Sequence, residues 1–77
     1  MTISELRETN DYKQAIKKIQ NYPYGFKFTL KYSEISEGKA NALKIIMEDC
    51  IKQNLLESVS IELALKGTQT AETFIRI

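Results

Sequence analysis

Apolar and polar residues follow two different periods along this chain, and the points where the period changes mark its elements. The longest regular stretch runs from Ser36 to Asn54. In it Leu43, Ile46, Met47, Cys50 and Ile51 fall at i, i+3, i+4, i+7 and i+8, one apolar stripe on a helix. Ser36 suits the N-cap, Glu37 suits the positive end of the helix dipole, and Ile35 can staple onto Ala40. Asn54 suits the left-handed position after the last turn, with Leu55 folding back toward Cys50. A helix striped on one side needs a sheet or another helix to lie on.

Upstream, Thr2-Ile3-Ser4-Glu5 reads as a capping box that opens a short helix through about Glu8. Tyr12, Ala15, Ile16 and Ile19 form a second stripe. One straight helix would leave Ile3 and Leu6 on its far side, so the pattern predicts a break at Thr9-Asn10 and a helix from Asp11 to Gln20. Pro23 and Gly25 end it. Phe26 to Tyr32 alternates strictly, the mark of a half-buried strand. Glu57 to Lys66 alternates again, which predicts Val59, Ile61, Leu63 and Leu65 pointing inward. Gly67 to Thr70 reads as a turn and Ala71 to Ile77 as a closing strand, with Thr73, Ile75 and Ile77 on one face and Phe74 on the other.

The order α-β-α-β-β predicts a single α+β domain over residues 1–77. Its three-stranded sheet is mainly antiparallel, its helices pack on one face, and its last two strands form a hairpin. The third strand is expected at the centre, as in a split β-α-β arrangement. Leu43, Met47, Phe28, Ile61 and Leu63 are expected to be nearly fully buried.

Size sharpens this picture. At 77 residues, ordering the chain costs on the order of 1.5 kcal/mol per residue, so nearly all the apolar side chains are needed for the core. Little is left to wall a deep pocket, which counts against an enzyme. The net charge of +1 comes from interspersed residues, without a basic tract or an acidic surface that would imitate a nucleic acid. The one cysteine, Cys50, lies on the helix stripe and fits a reduced, cytoplasmic setting. The sequence carries no signal peptide, lipidation motif or long apolar run, so no membrane association is expected.

Catalytic chemistry has little to use. Histidine is absent, and with it the common general base at neutral pH and a common metal ligand. Glu48 and Asp49 are adjacent but about 100° apart on a helix, so they do not converge, and Glu48 is better placed to pair with Lys52. Gly38-Lys39 lacks the glycine-rich loop of a phosphate cradle. No cofactor or metal is implied. Tyr24-Gly25-Phe26-Lys27-Phe28 is similar in part to the aromatic, basic motif of RNA-recognition sheets, with Lys27 where a small residue is expected and Lys31 where an aromatic ends that motif. Phe26 and Phe28 share their face with Leu30 and Tyr32, which is the composition of a core face.

Contact with a partner is the remaining expectation. Ile45 is apolar on the polar side of the central helix, and Tyr22 and Tyr24 flank Pro23 in a loop, where tyrosines serve as interface anchors. Lys27 and Lys31 face away from the core and can supply a polar rim. In size, composition and lack of a catalytic set, the chain resembles the small inhibitors encoded by phages and mobile elements, the anti-CRISPR proteins among them. Nine Lys against two Arg, with ten Ile, fit an AT-rich genome such as a low-GC bacterium or its phage. The resemblance is one of kind and implies a large host nuclease complex as partner. The alternative is a nucleic-acid-binding accessory protein using Lys27, Lys31 and Lys66. Self-association into a homodimer stays open under both.

Overall fold

A computed structural model describes residues 2–77. The elements are α1 (Ile3–Glu8), α2 (Asn10–Gln20), β1 (Lys27–Lys31), a 3₁₀ turn (Tyr32–Glu34), α3 (Glu37–Lys52), β2 (Leu56–Leu63) and β3 (Gln69–Arg76). Local chemistry sets most of these boundaries. Thr2 caps α1 by accepting from the Glu5 N–H at 3.1 Å and donating to the Glu5 carboxylate. Thr9 closes α1 and opens α2 at once: its hydroxyl donates to the Leu6 carbonyl at 2.7 Å and accepts from the Tyr12 N–H at 3.2 Å. The predicted break therefore falls as expected, with α2 starting one residue early. Ser36 caps α3 by accepting from the Lys39 N–H. At the other end Asn54 is left-handed at φ 59°, its N–H donates to Ile51 and that of Leu55 to Cys50, a complete Schellman motif.

The sheet order is β1-β3-β2, with both outer strands antiparallel to β3. The last strand is thus the central one, as the sequence predicts. Its register sorts the side chains into two faces, because residues directly opposite share a face. Phe28, Phe74 and Ser58 form one inner row, and Leu30, Glu72 and Ile61 the next. The outer rows are Lys27, Ile75 and Glu57; Thr29, Thr73 and Ser60; and Lys31, Ala71 and Glu62. Phe74 and Leu56 share one buried cluster with Ile19 of α2 and Ile46, Met47 and Cys50 of α3, so both helices lie on the inner face. Phe74 and Cys50 are fully excluded from solvent.

Several expected core positions are not core. Met47 is buried, but Leu43 and Phe28 are only half-buried, and Ile61 and Leu63 stand 54% and 62% exposed. The inward set proposed for β2 also fails, since Val59 is largely exposed and Leu65 entirely so. A bulge between Ser58 and Ser60 takes Val59 out of the alternation, while Ile61 returns to the inner row but lies on an edge strand and stays exposed. Leu56 and Ser58 face the helices, Val59 is the extra residue, and the alternation resumes one step out of phase. Leu56, at 1% exposure, takes the core place assigned to its neighbours. The hairpin turn also comes earlier than expected. Ala64 and Thr68 close it with a 2.8 Å hydrogen bond, and Gly67 supplies the positive φ of 80°.

Because Leu56 sits inside the cluster and Leu43 at its margin, Leu56→Ala should cost about 2–5 kcal/mol and Leu43→Ala distinctly less. Thermal denaturation of the two variants gives the order. A Leu43→Ala loss equal to or larger than that of Leu56→Ala would mean that the core is centred elsewhere on α3.

Candidate protein-binding surface

The loop after α2 presents the most exposed aromatic group. Pro23 to Phe26 forms a turn, closed by the Phe26 N–H donating to the Pro23 carbonyl at 3.1 Å, with Gly25 at φ 84°. This turn throws the Tyr24 side chain outward, leaving the residue 82% exposed. One face of its ring is covered by the Arg76 guanidinium, 5.0 Å from the centroid. Arg76 is itself buried, donating through Nε to the Ile19 carbonyl and through Nη1 to the carbonyls of Leu55 and Ile77. Tyr24 thus rests on a cation held by the ends of α2, the α3–β2 link and the last strand.

The other expected contact residues lie apart from it. Tyr22 is half-buried, its ring 4.7 Å from Phe26 and 5.5 Å from Phe28, so it continues the core along the edge of β1. Lys27 and Lys31 are exposed on the outer face of the sheet, clear of the helices. Ile45 is half-buried beside α1, in a groove of about 160 Å³ that Ile3 and Leu6 line from the other side. The five residues therefore occupy three surfaces, and of them only Tyr24 joins large exposure to a fixed orientation.

The outer sheet face is not uniformly basic. Each row that begins with a lysine on β1 ends with a glutamate on β2: Lys27 with Glu57, Lys31 with Glu62. A phosphate backbone laid across it would meet carboxylates within two strand spacings, about 10 Å. The rings of Phe26 and Phe28 lie on the opposite side with Phe74, to which Phe28 stacks at 5.6 Å, so no base-stacking platform faces outward there.

Two polar networks were invisible in the sequence. Asp49 is buried on α3, and its carboxylate receives Arg7 Nε and Nη2 at 2.9 Å each, with the Tyr12 hydroxyl at 2.7 Å. The paired hydrogen bonds from Arg7 hold the Asp49 carboxyl below its ordinary range, despite the opposing effect of burial. This is how α1, which buries no residue of its own, is fixed to the rest. On the sheet, Glu72 accepts from the Ser58 hydroxyl at 2.6 Å, from the Gln69 amide at 2.9 Å and from the Tyr32 hydroxyl at 3.3 Å. Burial, then the Glu72 charge, pushes the Tyr32 phenol up. Among the described residues no buried side-chain nitrogen or oxygen lacks a partner. Glu48 and Lys52 pair at 3.5 Å on the surface, as their spacing suggests.

A concavity of about 630 Å³ runs between the N-terminal helices and α3, with Leu6, Tyr12, Ala15, Leu43 and Ile46 in its walls and Asp11 and Lys39 among its lining residues. Its half-buried hydroxyls are both committed, that of Tyr12 to Asp49 and that of Thr9 to the Leu6 carbonyl. Among the described residues no three His, Cys, Asp or Glu side chains gather as a metal site, and no helix is long and apolar enough to cross a membrane. Comparison with protein-family models, curated proteins and solved structures gives no match.

Asp49 makes stability depend on acid. Its folded pKa lies below the unfolded one, so its contribution is complete above the unfolded value of about 4 and is lost as pH falls through the folded value. Asp49→Asn should therefore cost about 1–3 kcal/mol at pH 7. The difference in Tm from the parent should narrow steadily below about pH 4. A constant difference across that range would show that the carboxylate charge contributes nothing.

Cys50 should be inert. Burial pushes its thiol up to about 11, and the side chain has no exposed atom. Labelling by a thiol reagent at neutral pH should proceed only through opening of the fold and accelerate sharply in denaturant. Labelling at the rate of the unfolded chain in plain buffer would place Cys50 at the surface.

Proposed function

We infer that this chain is a non-enzymatic protein-binding module that acts by occupying the surface of a larger protein. The observation that carries the inference is Tyr24: a large amphipathic side chain with no packing duty, turned outward by Pro23 and Gly25 and steadied by Arg76. An aromatic group held in one orientation before binding loses little freedom when it docks, which is what an interface anchor requires. Phe26 and Ile77, both more than a third exposed and next along the chain from Gly25 and Arg76, extend the apolar surface at this end of the molecule. The resemblance in kind to phage and mobile-element inhibitors points to a host defence nuclease complex as the partner, and a buried thiol suits a reducing cytoplasm. The nucleic-acid alternative is disfavoured by Glu57 and Glu62, which close the rows that Lys27 and Lys31 open.

Titration against purified RNA-guided nuclease complexes tests both parts. The parent chain should block cleavage at near-stoichiometric concentration. Tyr24→Ala should weaken binding by about 1 kcal/mol or more, a factor of about 5 or greater, with circular dichroism unchanged. Lys27→Glu with Lys31→Glu should change it little. Binding to DNA or RNA that falls steeply with salt and is abolished by the double lysine variant would overturn the protein-binding function. Absence of any effect on nuclease complexes would remove the nuclease as partner.

A further inference from the structure

The first helix is attached to the fold differently from the second. α2 sends Ile19 into the core and packs Tyr12, Ala15 and Ile16 against it. α1 buries no residue, and neither Ile3 nor Leu6 belongs to the core cluster or to the side chains packed on it. Its seat on α3 is loosely filled. Leu6, Gly38 and Ala42 stand in the walls of both the groove of about 160 Å³ and the concavity of about 630 Å³, so open space flanks this crossing on two sides. Among the described residues, the polar contact between α1 and α3 is that of Arg7 with Asp49 alone. The Arg7 side chain is 48% exposed, so water and salt reach the pair.

We propose that α1 is a strap that opens about Thr9 while the rest of the domain stays folded, with the Arg7–Asp49 pair as its clasp. Thr9 suits a hinge: it is extended, at φ −71° and ψ 151°, between two helices. Its hydroxyl oxygen accepts from the Tyr12 N–H, so α2 keeps its cap when α1 leaves. The Tyr12 hydroxyl stays on Asp49, so the buried carboxylate keeps a donor after Arg7 has gone. A helix of 6 residues does not hold in water on its own, so α1 melts once the clasp parts. Closed, the strap lies beside Ala42 and Ile45 and leaves both half-buried. Open, it bares these apolar groups on the otherwise polar side of α3. The molecule then has a constant aromatic surface at Tyr24 and a second apolar surface displayed only in the open state. Ionic strength sets the balance between the two states, because a half-exposed ion pair is screened. The device is a property of the fold and holds whatever the chain binds.

Hydrogen exchange of single amides, followed by NMR under native conditions, tests the strap. In the parent chain the Leu6 amide, which donates to the Thr2 carbonyl, should be protected, but at least about 10-fold less than the amide of buried Met47. Arg7→Gln should lower the Leu6 protection by a further factor of about 5 or more. Arg7→Lys, which keeps the charge without the two-pronged contact, should fall between. Raising salt from roughly 0.02 to 1 M should lower Leu6 protection in the parent and not in Arg7→Gln, and the parent arm needs no substitution. Leu56→Val, a change inside the core, should lower the protection of Met47 and leave that of Leu6 as it was, because the core stays whole when the strap opens. A Leu6 amide as protected as Met47 in the parent would overturn the proposal, since α1 would then open only with the whole fold. Exchange of Leu6 at the rate of an unfolded chain would do so too, as would a Leu6 protection that falls with Leu56→Val. A Leu6 protection that neither Arg7→Gln nor salt alters would remove the clasp and the proposal with it.

Discussion

Everything in this molecule depends on the contact between α3 and the inner face of β3. Phe74 and Cys50, both without exposed atoms, meet in the cluster that also takes Ile46, Met47, Leu56 and Ile19. In so small a domain the ordering cost leaves no reserve, so this one cluster carries most of the apolar burial. Every other feature is an attachment to it. α2 joins through Ile19, β1 through Phe28 and Leu30, and α1 through the Arg7–Asp49 ion pair beside the shallow contact of Ile3 and Leu6 with Ile45.

The sequence made local events legible and long-range ones obscure. Thr2, Thr9, Ser36 and Asn54 mark helix ends because a cap is chemistry between residues a few positions apart, and all four sit where that chemistry predicts. The place of the last strand was legible too. The split β-α-β order was the guide to its place at the centre of the sheet, and β3 is there. The phase of β2 was not legible, since nothing in Leu56-Glu57-Ser58-Val59-Ser60 distinguishes a bulge from plain alternation. The role of Asp49 was not legible because its partners, Arg7 and Tyr12, lie 42 and 37 positions away. Of the candidate contact residues, Tyr24 and the two lysines are on the surface as read, whereas Tyr22 and Ile45 are half-committed to internal packing.

Arg76 shows how one polar group can organise a surface. A buried guanidinium is tolerated only when its donors are matched, and here carbonyls at the end of α2, the α3–β2 link and the chain's last residue match them. Its backbone also accepts from Gly25 and donates to Phe26. The loop bearing Tyr24 is therefore fixed from below by an internal network and from the side by a ring–cation contact.

The central position of β3 governs the order in which the fold can assemble. β1 has no hydrogen-bonding partner except β3, and the Thr29 and Thr73 hydroxyls that meet across that pair are 44 positions apart in the chain. The three helices and the β2–β3 hairpin can each begin from local contacts, but the sheet cannot close before that long loop does. Loop closure of this kind is slow relative to helix formation, so the helices would wait, with their stripes exposed, for the last strand to arrive between β1 and β2. A nascent chain lacking residues 69–76 would hold caps, turns and helices and still have no sheet.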